Sequence, residues 1–226
     1  MISVIVPAYQ EEKYIEGTLH SIASQRTPHE IIVVDSGSTD KTVAIAKKYA
    51  NHVIIGPRGV SKARNLGASR AKGGILLFLD ADTRLAPNAL DVIQRAFKRG
   101  TACVCGNVSS DGPVYARFVY RLVSNAARVS SFLGKPLFYG MCFGCTRKAF
   151  ENSGGFREAF SIGEDINLSL RMGTLGRCVW LRDAMVVTSW RRLKGKWILL
   201  APYTHVKNFF KMVLFGKTDG YYPPMR

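Results

Sequence analysis

The stretch Ile75-Leu76-Leu77-Phe78-Leu79-Asp80-Ala81-Asp82 decides how this chain is read. Its five consecutive apolar residues are too few for a helix and read as a strand buried on both faces. Such strands belong to parallel sheets covered by helices. Two carboxylates, one residue apart, follow at the carboxyl end. An isolated Asp-x-Asp is usually a solvated turn whose second Asp caps the next helix. After a wholly apolar strand that balance reverses, because ligands of open α/β sheets bind beyond the carboxyl ends of the strands.

Working outward, the pattern repeats. Residues 2–6, 31–34 and 53–55 are further short apolar runs. Between them, residues 11–24 place Ile15, Leu19, Ile22 and Ala23 at helical spacing. Residues 42–49 do the same with Val43, Ile45, Ala46 and Tyr49, behind Thr39 or Asp40 as N-cap. Residues 61–70 read as a basic helix, and Pro87 opens another over 88–98. This alternation predicts an α/β fold: a mostly parallel, doubly wound sheet flanked by helices. Polar clusters follow three of the strands, at 7–11, 35–40 and 80–82. They predict one crevice.

Beyond residue 100 the pattern changes. Strands are expected at 102–108, 141–146, 178–180 and 185–187, and a short helix at 166–172. Residues 114–132 are helical in period, and the stripe Tyr115, Phe118, Val119, Leu122, Val123, Ala126 and Val129 reads as core, with Arg117, Arg121 and Arg128 off it. The same Arg-flanked stripe, with the basic and aromatic residues of 197–215, also suits a membrane surface. No repeat or linker divides the chain.

The chain has 226 residues, of which 47% are hydrophobic and 21% charged, which excludes disordered and low-complexity classes. Its net charge is +16, and residues 166–226 hold 11 Lys/Arg against two Asp/Glu. Such a field draws nucleic acid, anionic lipid headgroups or phosphorylated substrates. No zinc finger, RNP aromatic motif or clear helix-turn-helix is present, so no specific nucleic-acid partner is expected. Met1 leads directly into an apolar strand without a basic leader, and no apolar run reaches about 18 residues. A cytoplasmic protein, peripheral on the cytoplasmic membrane face, is expected. Cys103 and Cys105 form a C-x-C pair and Cys142 and Cys145 a C-x-x-C pair, a weak match to zinc spacing, and with Cys178 they read as buried thiols.

Five motifs occur in order: Val4-Ile5-Val6-Pro7-Ala8-Tyr9-Gln10-Glu11-Glu12, Val34-Asp35-Ser36-Gly37-Ser38-Thr39-Asp40, Ala63-Arg64-Asn65-Leu66-Gly67, Leu79-Asp80-Ala81-Asp82 and Gly163-Glu164-Asp165-Ile166-Asn167-Leu168. Together they resemble glycosyltransferase family 2, whose members have the GT-A fold, a Rossmann-like sheet. Thr188-Ser189-Trp190-Arg191-Arg192 is similar to the basic motif that closes that catalytic domain. The resemblance implies a catalytic domain over 1–192 and a basic amphipathic helical extension over 193–226. It implies inverting transfer of one sugar from a nucleotide-diphosphate sugar, with Mn²⁺ or Mg²⁺, to an acceptor that is lipid-linked or anionic.

By the same resemblance, Pro7, Tyr9 and Glu11 frame the base and ribose, and Asp35 hydrogen-bonds the base. Arg64 lies near ribose and diphosphate, Asp80 touches the ribose or sugar, and Asp82 holds the metal. Asp165 is the general base, with Glu164 beside it. Arg191 and Arg192 approach the diphosphate or an acceptor phosphate. Gln10 stands where Asn is commoner, Ser36 replaces an Asp, and Asn167 replaces another. The Gln-x-x-Arg-Trp motif of processive members is absent, which implies single-sugar transfer. Two other readings compete: a sugar-nucleotide nucleotidyltransferase and a basic nucleic-acid-binding protein. The first lacks the Gly-rich loop it needs directly after strand one, and the second rests on charge alone.

Overall fold

The four apolar runs of the N-terminal half become four parallel strands in the computed structural model, which describes residues 1–160, 162–194 and 207. Strand β1 (Ile2–Ala8) lies between β2 (His29–Asp35) and β4 (Ile75–Leu79), with β3 (His52–Ile55) beyond β2. Helices α1 (Ile15–Ala23), α2 (Thr42–Ala46) and α3 (Val60–Arg70) connect them. Every side chain from Leu76 to Leu79 is fully buried, as a strand covered on both faces requires. On α3, a Cβ at Gly67 would overlap the Ile5 side chain, so glycine sets how closely α3 approaches β1. The chain leaves β1 toward β2 on one side, and β4 flanks it on the other. Strand order thus reverses at β1, and a crevice opens beyond its carboxyl end.

The second half extends the sheet with mixed pairing. Strand β7 (Cys142–Thr146) is antiparallel to β4, and β6 (Thr101–Ser110) is antiparallel to β7. Strand β8 (Arg177–Thr188) runs parallel to β6, and the short β5 (Thr83–Leu85) closes the far edge against β8. The order is β3-β2-β1-β4-β7-β6-β8-β5. Helices α4 (Ala89–Ala96), α5 (Val114–Phe132), α6 (Arg147–Asn152) and α7 (Glu164–Gly173) complete the layers, and a 3₁₀ turn spans Trp190–Leu193. Parallel pairing predominates, and the antiparallel pairs all involve strands after β4.

Two expectations need correction. The separate strands at 178–180 and 185–187 are one strand, β8. Its partner β6 advances only from Gly106 to Val108 while β8 advances from Leu181 to Val186, so Arg182 and Asp183 occupy a bulge. The stripe read as core on α5 is also largely wrong. Tyr115, Phe118, Leu122, Ala126 and Val129 face outward, and Val119 and Val123 are half-buried. The helix buries Ala116, Tyr120, Ser124, Ala127 and Ser130 instead. These are mostly small residues, and they let α5 lie close to β6. Ser124 justifies its burial by accepting the Val108 N–H at 2.9 Å and donating to Asn107 Oδ1 at 2.9 Å.

The five cysteines are free thiols on β6, β7 and β8, four of them buried. The helical extension expected over 193–226 lies outside the described residues except for Leu193, Lys194 and Lys207. No described helix is long and apolar enough to cross a membrane.

Candidate active site

The crevice is lined by the segments leaving β1, β2 and β4, by the start of α7, and by the 3₁₀ turn. Asp80 and Asp82 leave the end of β4. Asp80 Oδ1 accepts from Arg64 Nη2 at 2.8 Å, and Arg64 Nη1 donates to Glu164 Oε1, also at 2.8 Å. The Arg64 side chain is only 3% exposed. A second guanidinium does the same work at the crevice mouth. Arg191 donates to both oxygens of Glu11, at 2.6 and 2.8 Å, and its Nε lies 2.8 Å from Asp82 Oδ2. It also sits over the Tyr14 ring, 4.8 Å from the centroid.

Asp165 lies in the first turn of α7, whose N-cap Gly163 has φ 78°. Its Oδ2 accepts the Gly140 N–H at 2.6 Å and its Oδ1 the Ile166 N–H at 2.8 Å, so two backbone donors fix the carboxylate. Gly140 has a second role. A Cβ there would overlap the Arg64 guanidinium. One glycine therefore holds Asp165 and leaves room for the arginine that joins Asp80 to Glu164.

Electrostatics follow from this crowding. Burial, with Asp165 beside it, pushes Glu164 up to about 7 against the opposing charge of Arg64. Burial also raises Asp82 and Glu11, and Arg191 opposes both shifts. Burial disfavours charge on Arg64, but Asp80, Glu164 and Asp165 outweigh it and hold the guanidinium protonated. Asp80 and Asp82 likewise favour the charged form of Arg192 against its burial.

The loops after β1 and β2 are clasped together. Gln10 takes a left-handed backbone conformation, φ 57°. Its N–H donates to Ser38 Oγ at 2.8 Å, and its side-chain oxygen accepts from the Thr39 and Asp40 N–H groups at 3.2 Å. A left-handed position is one that Asn adopts readily, which suits the Asn that is commoner there. Asp40 accepts the Thr42 N–H at the start of α2, one residue before the observed cap.

The structure thus brings Glu11, Arg64, Asp80, Asp82, Glu164, Asp165, Arg191 and Arg192 into one charged network. Three other expected residues stand apart from it. Pro7 is part of β1. Tyr9 accepts from Arg58 Nη2 at 2.9 Å beneath its guanidinium. Asp35 is fully buried, and its carboxylate accepts from the Gly37 and Ser38 N–H groups and the Ser38 hydroxyl, so it shapes the turn after β2. The turn at Gly154–Arg157 is tied down by Asn65, which donates to Phe156 O and accepts its N–H. Gly140, Gln10 and Asn65 were not singled out as site residues from sequence. Gln10 carried a signal, since it departs from the motif, whereas nothing local marks Gly140.

Asp80 and Asp82 are hard oxygen donors, and the described residues contain no group of three or more His, Cys, Asp or Glu side chains able to cage a metal. Two carboxylates that leave the other positions to phosphate oxygens and water match the way Mg²⁺ and Mn²⁺ bind nucleotides. The donor set fits such a cation.

The sheet order and the charged switch-point crevice define an α/β protein with a GT-A-like fold. Residues 3–160 match the family described as Glycosyl transferase family 2, and the chain belongs to that family. Among curated relatives, it is 41% identical over 90 residues to the poly(ribitol-phosphate) beta-N-acetylglucosaminyltransferase TarS of Staphylococcus aureus, covering 35% of this chain and 16% of TarS. It is 38% identical over 99 residues to the putative teichuronic acid biosynthesis glycosyltransferase TuaG of Bacillus subtilis, covering 40% of this chain and 39% of TuaG. The matches thus span well under half of either relative.

Among solved structures, the mannosyltransferase PcManGT from Pyrobaculum calidifontis, in complex with GDP-Man and Mn²⁺, superposes with a TM-score of 0.72 at 23% identity, covering 99% of this chain and 66% of that one. Glucosyl-3-phosphoglycerate synthase from Mycobacterium tuberculosis, with Mn²⁺, UDP and phosphoglyceric acid, gives 0.64 at 20% identity, covering 97% and 80%. At these identities the likeness shows a shared fold.

Proposed function

We propose that the protein is a cation-dependent inverting glycosyltransferase that moves one sugar from a nucleotide-diphosphate sugar to a lipid-linked or anionic acceptor. The observation that supports this most is the meeting of Asp80, Asp82, Arg191 and the backbone-fixed Asp165 in one crevice. In the reaction an acceptor hydroxyl attacks the anomeric carbon while the bond from that carbon to the diphosphate oxygen breaks. Asp165 takes the hydroxyl proton, a role worth about 10²–10⁴-fold. Arg191 and Arg192 stabilise the charge gathering on the departing nucleoside diphosphate. Asp82 would hold a divalent cation, which would supply further charge neutralisation to the diphosphate, with Asp80 toward the ribose or sugar. If the acceptor atom is a phosphate oxygen, it is already ionised, and Asp165 acts by positioning. Family membership and the relatives' names support sugar transfer, and the basic surface suits an anionic acceptor at the cytoplasmic membrane face.

The test is thermal unfolding with UDP, GDP, ADP, dTDP and CMP, with and without Mn²⁺ or Mg²⁺. A nucleotide at 100 times its dissociation constant adds about 2.7 kcal/mol. A cation-dependent shift with one nucleotide is expected, and its loss in Asp82→Ala. No shift with any pair would remove the donor site from the account.

A further inference from the structure

Helix α5 is turned inside out for a soluble protein. Its outward face carries Val114, Phe118, Leu122, Val129 and Phe132, between 52% and 90% exposed, with Phe132 the most open; Leu133 continues the ridge just past the helix. At about 100° per residue these positions fall within an arc of about 100°. Arg117, Arg121 and Arg128 lie along one border of that arc and are exposed. The helix contains no Asp or Glu. Beyond its carboxyl end, the ridge runs into a cavity of about 880 Å³ whose lining includes Arg128, Phe132, Arg177 and Trp180. The Trp180 indole N–H is buried there without a partner among the described residues. Arg128 lies over the Trp180 ring, 5.9 Å from its centroid.

We infer that this face of α5 docks on an anionic lipid bilayer, the ridge entering the interface and the arginines meeting lipid phosphates. Charge selects this occupant. A second copy packed face to face would bring three arginines from each copy into one contact, with no Asp or Glu on either helix to pair them. The chain's own residues 195–226 carry five Lys/Arg against one Asp, so they repel α5 as well. An apolar ridge with a basic border suits an anionic surface that also accepts hydrocarbon. The face has a defined relation to the crevice. At the start of α5, the Tyr115 hydroxyl donates to Leu193 O at 3.3 Å, and its ring meets Trp190 edge to face, next to Arg191. A docked α5 therefore sets the crevice beside the lipid surface. The inference rests on the shape and charge of α5 and is independent of the proposed chemistry.

The experiment is co-sedimentation of the full chain with vesicles of phosphatidylcholine, alone or with phosphatidylglycerol. Binding is expected only with the anionic lipid. The triple variant Phe118→Ser, Leu122→Ser and Phe132→Ser should lose at least about 10-fold in partition. Arg121→Gln with Arg128→Gln should lose about 30-fold at low salt. Nucleotide-induced thermal shifts, measured on the same preparations, should match wild type, which separates lost docking from lost folding or a failed donor site. Unchanged partition of both variants would overturn the inference. So would its transfer to the tail, with binding abolished by Lys207→Gln, Lys211→Gln and Lys217→Gln while the ridge variant binds normally. A wild-type dimer that the ridge substitutions dissociate, without vesicle binding, would assign the face to a second copy instead.

Discussion

Two arginines each join two carboxylates, one at the floor of the crevice and one at its mouth. Arg64 is 3% exposed, reaches across from α3, and ties the end of β4 to the start of α7. Arg191 is 12% exposed, arrives with the closing 3₁₀ turn, and ties Glu11 to Asp82. In the first pair Arg64 and Glu164 are buried and Asp80 is half-buried, with Gly140 close against the guanidinium. On the proposed function, the second lies where the donor's phosphates would sit, and its partners include the proposed cation ligand. On that reading, similar chemistry serves as a structural brace in one place and as a ligand contact in the other.

Substituting the two arginines should separate those roles most strongly. Arg64→Met leaves the buried Glu164 without its counter-charge and removes one from the half-buried Asp80, and should cost about 3–5 kcal/mol. Denaturant unfolding reads that loss directly. Arg191→Gln starts from a more exposed arginine, 12% against 3%, and keeps a neutral donor beside Glu11 and Asp82, so it should cost less stability yet lower turnover about 10²–10³-fold, as removal of a charge-stabilising donor does. Equal stability losses for the two would erase the distinction. Gly140→Ala sharpens it next, since the methyl displaces Arg64 and the Gly140 N–H shifts away from Asp165. Turnover should fall about 100-fold, the scale of a 1 Å misplacement, while nucleotide-induced thermal shifts persist.

The smallest effect concerns pH. Glu164 has its carboxyl raised from 4.5 to about 7 in the folded protein, chiefly by burial. A raised carboxyl contributes stability that is fully present below the unfolded value and is lost as pH rises through about 7. The wild-type midpoint should therefore fall between pH 5 and 8 relative to Glu164→Gln. Parallel curves for the two proteins would show that Glu164 does not titrate in that window.

The contrast between floor and mouth also marks what a sequence can reveal. The parallel strands and the polar residues following them were legible because unbroken apolar runs have few other readings, and their order places the carboxylates in one crevice. Residues 100–194 were harder. On α5, apolar periodicity located a helix but not its inward face, since small residues such as Ala116, Ala127 and Ser130 lie against the sheet and the larger apolar ones point out. In β8, charged Arg182 and Asp183 looked like the end of a strand because a bulge cannot be seen without its partner strand. The bridge from Arg64 to Glu164 joins residues 100 positions apart, and no local pattern encodes that pairing.

The central claim is that one crevice binds a nucleotide sugar through Asp82 and performs transfer through Asp165. It is tested most directly by measuring cation-dependent nucleotide binding and sugar turnover on Asp82→Ala and Asp165→Asn side by side. The account predicts that Asp82→Ala loses both, and that Asp165→Asn keeps binding while turnover to a hydroxyl acceptor falls at least about 100-fold. Undiminished binding by Asp82→Ala, or wild-type turnover by Asp165→Asn, would contradict it.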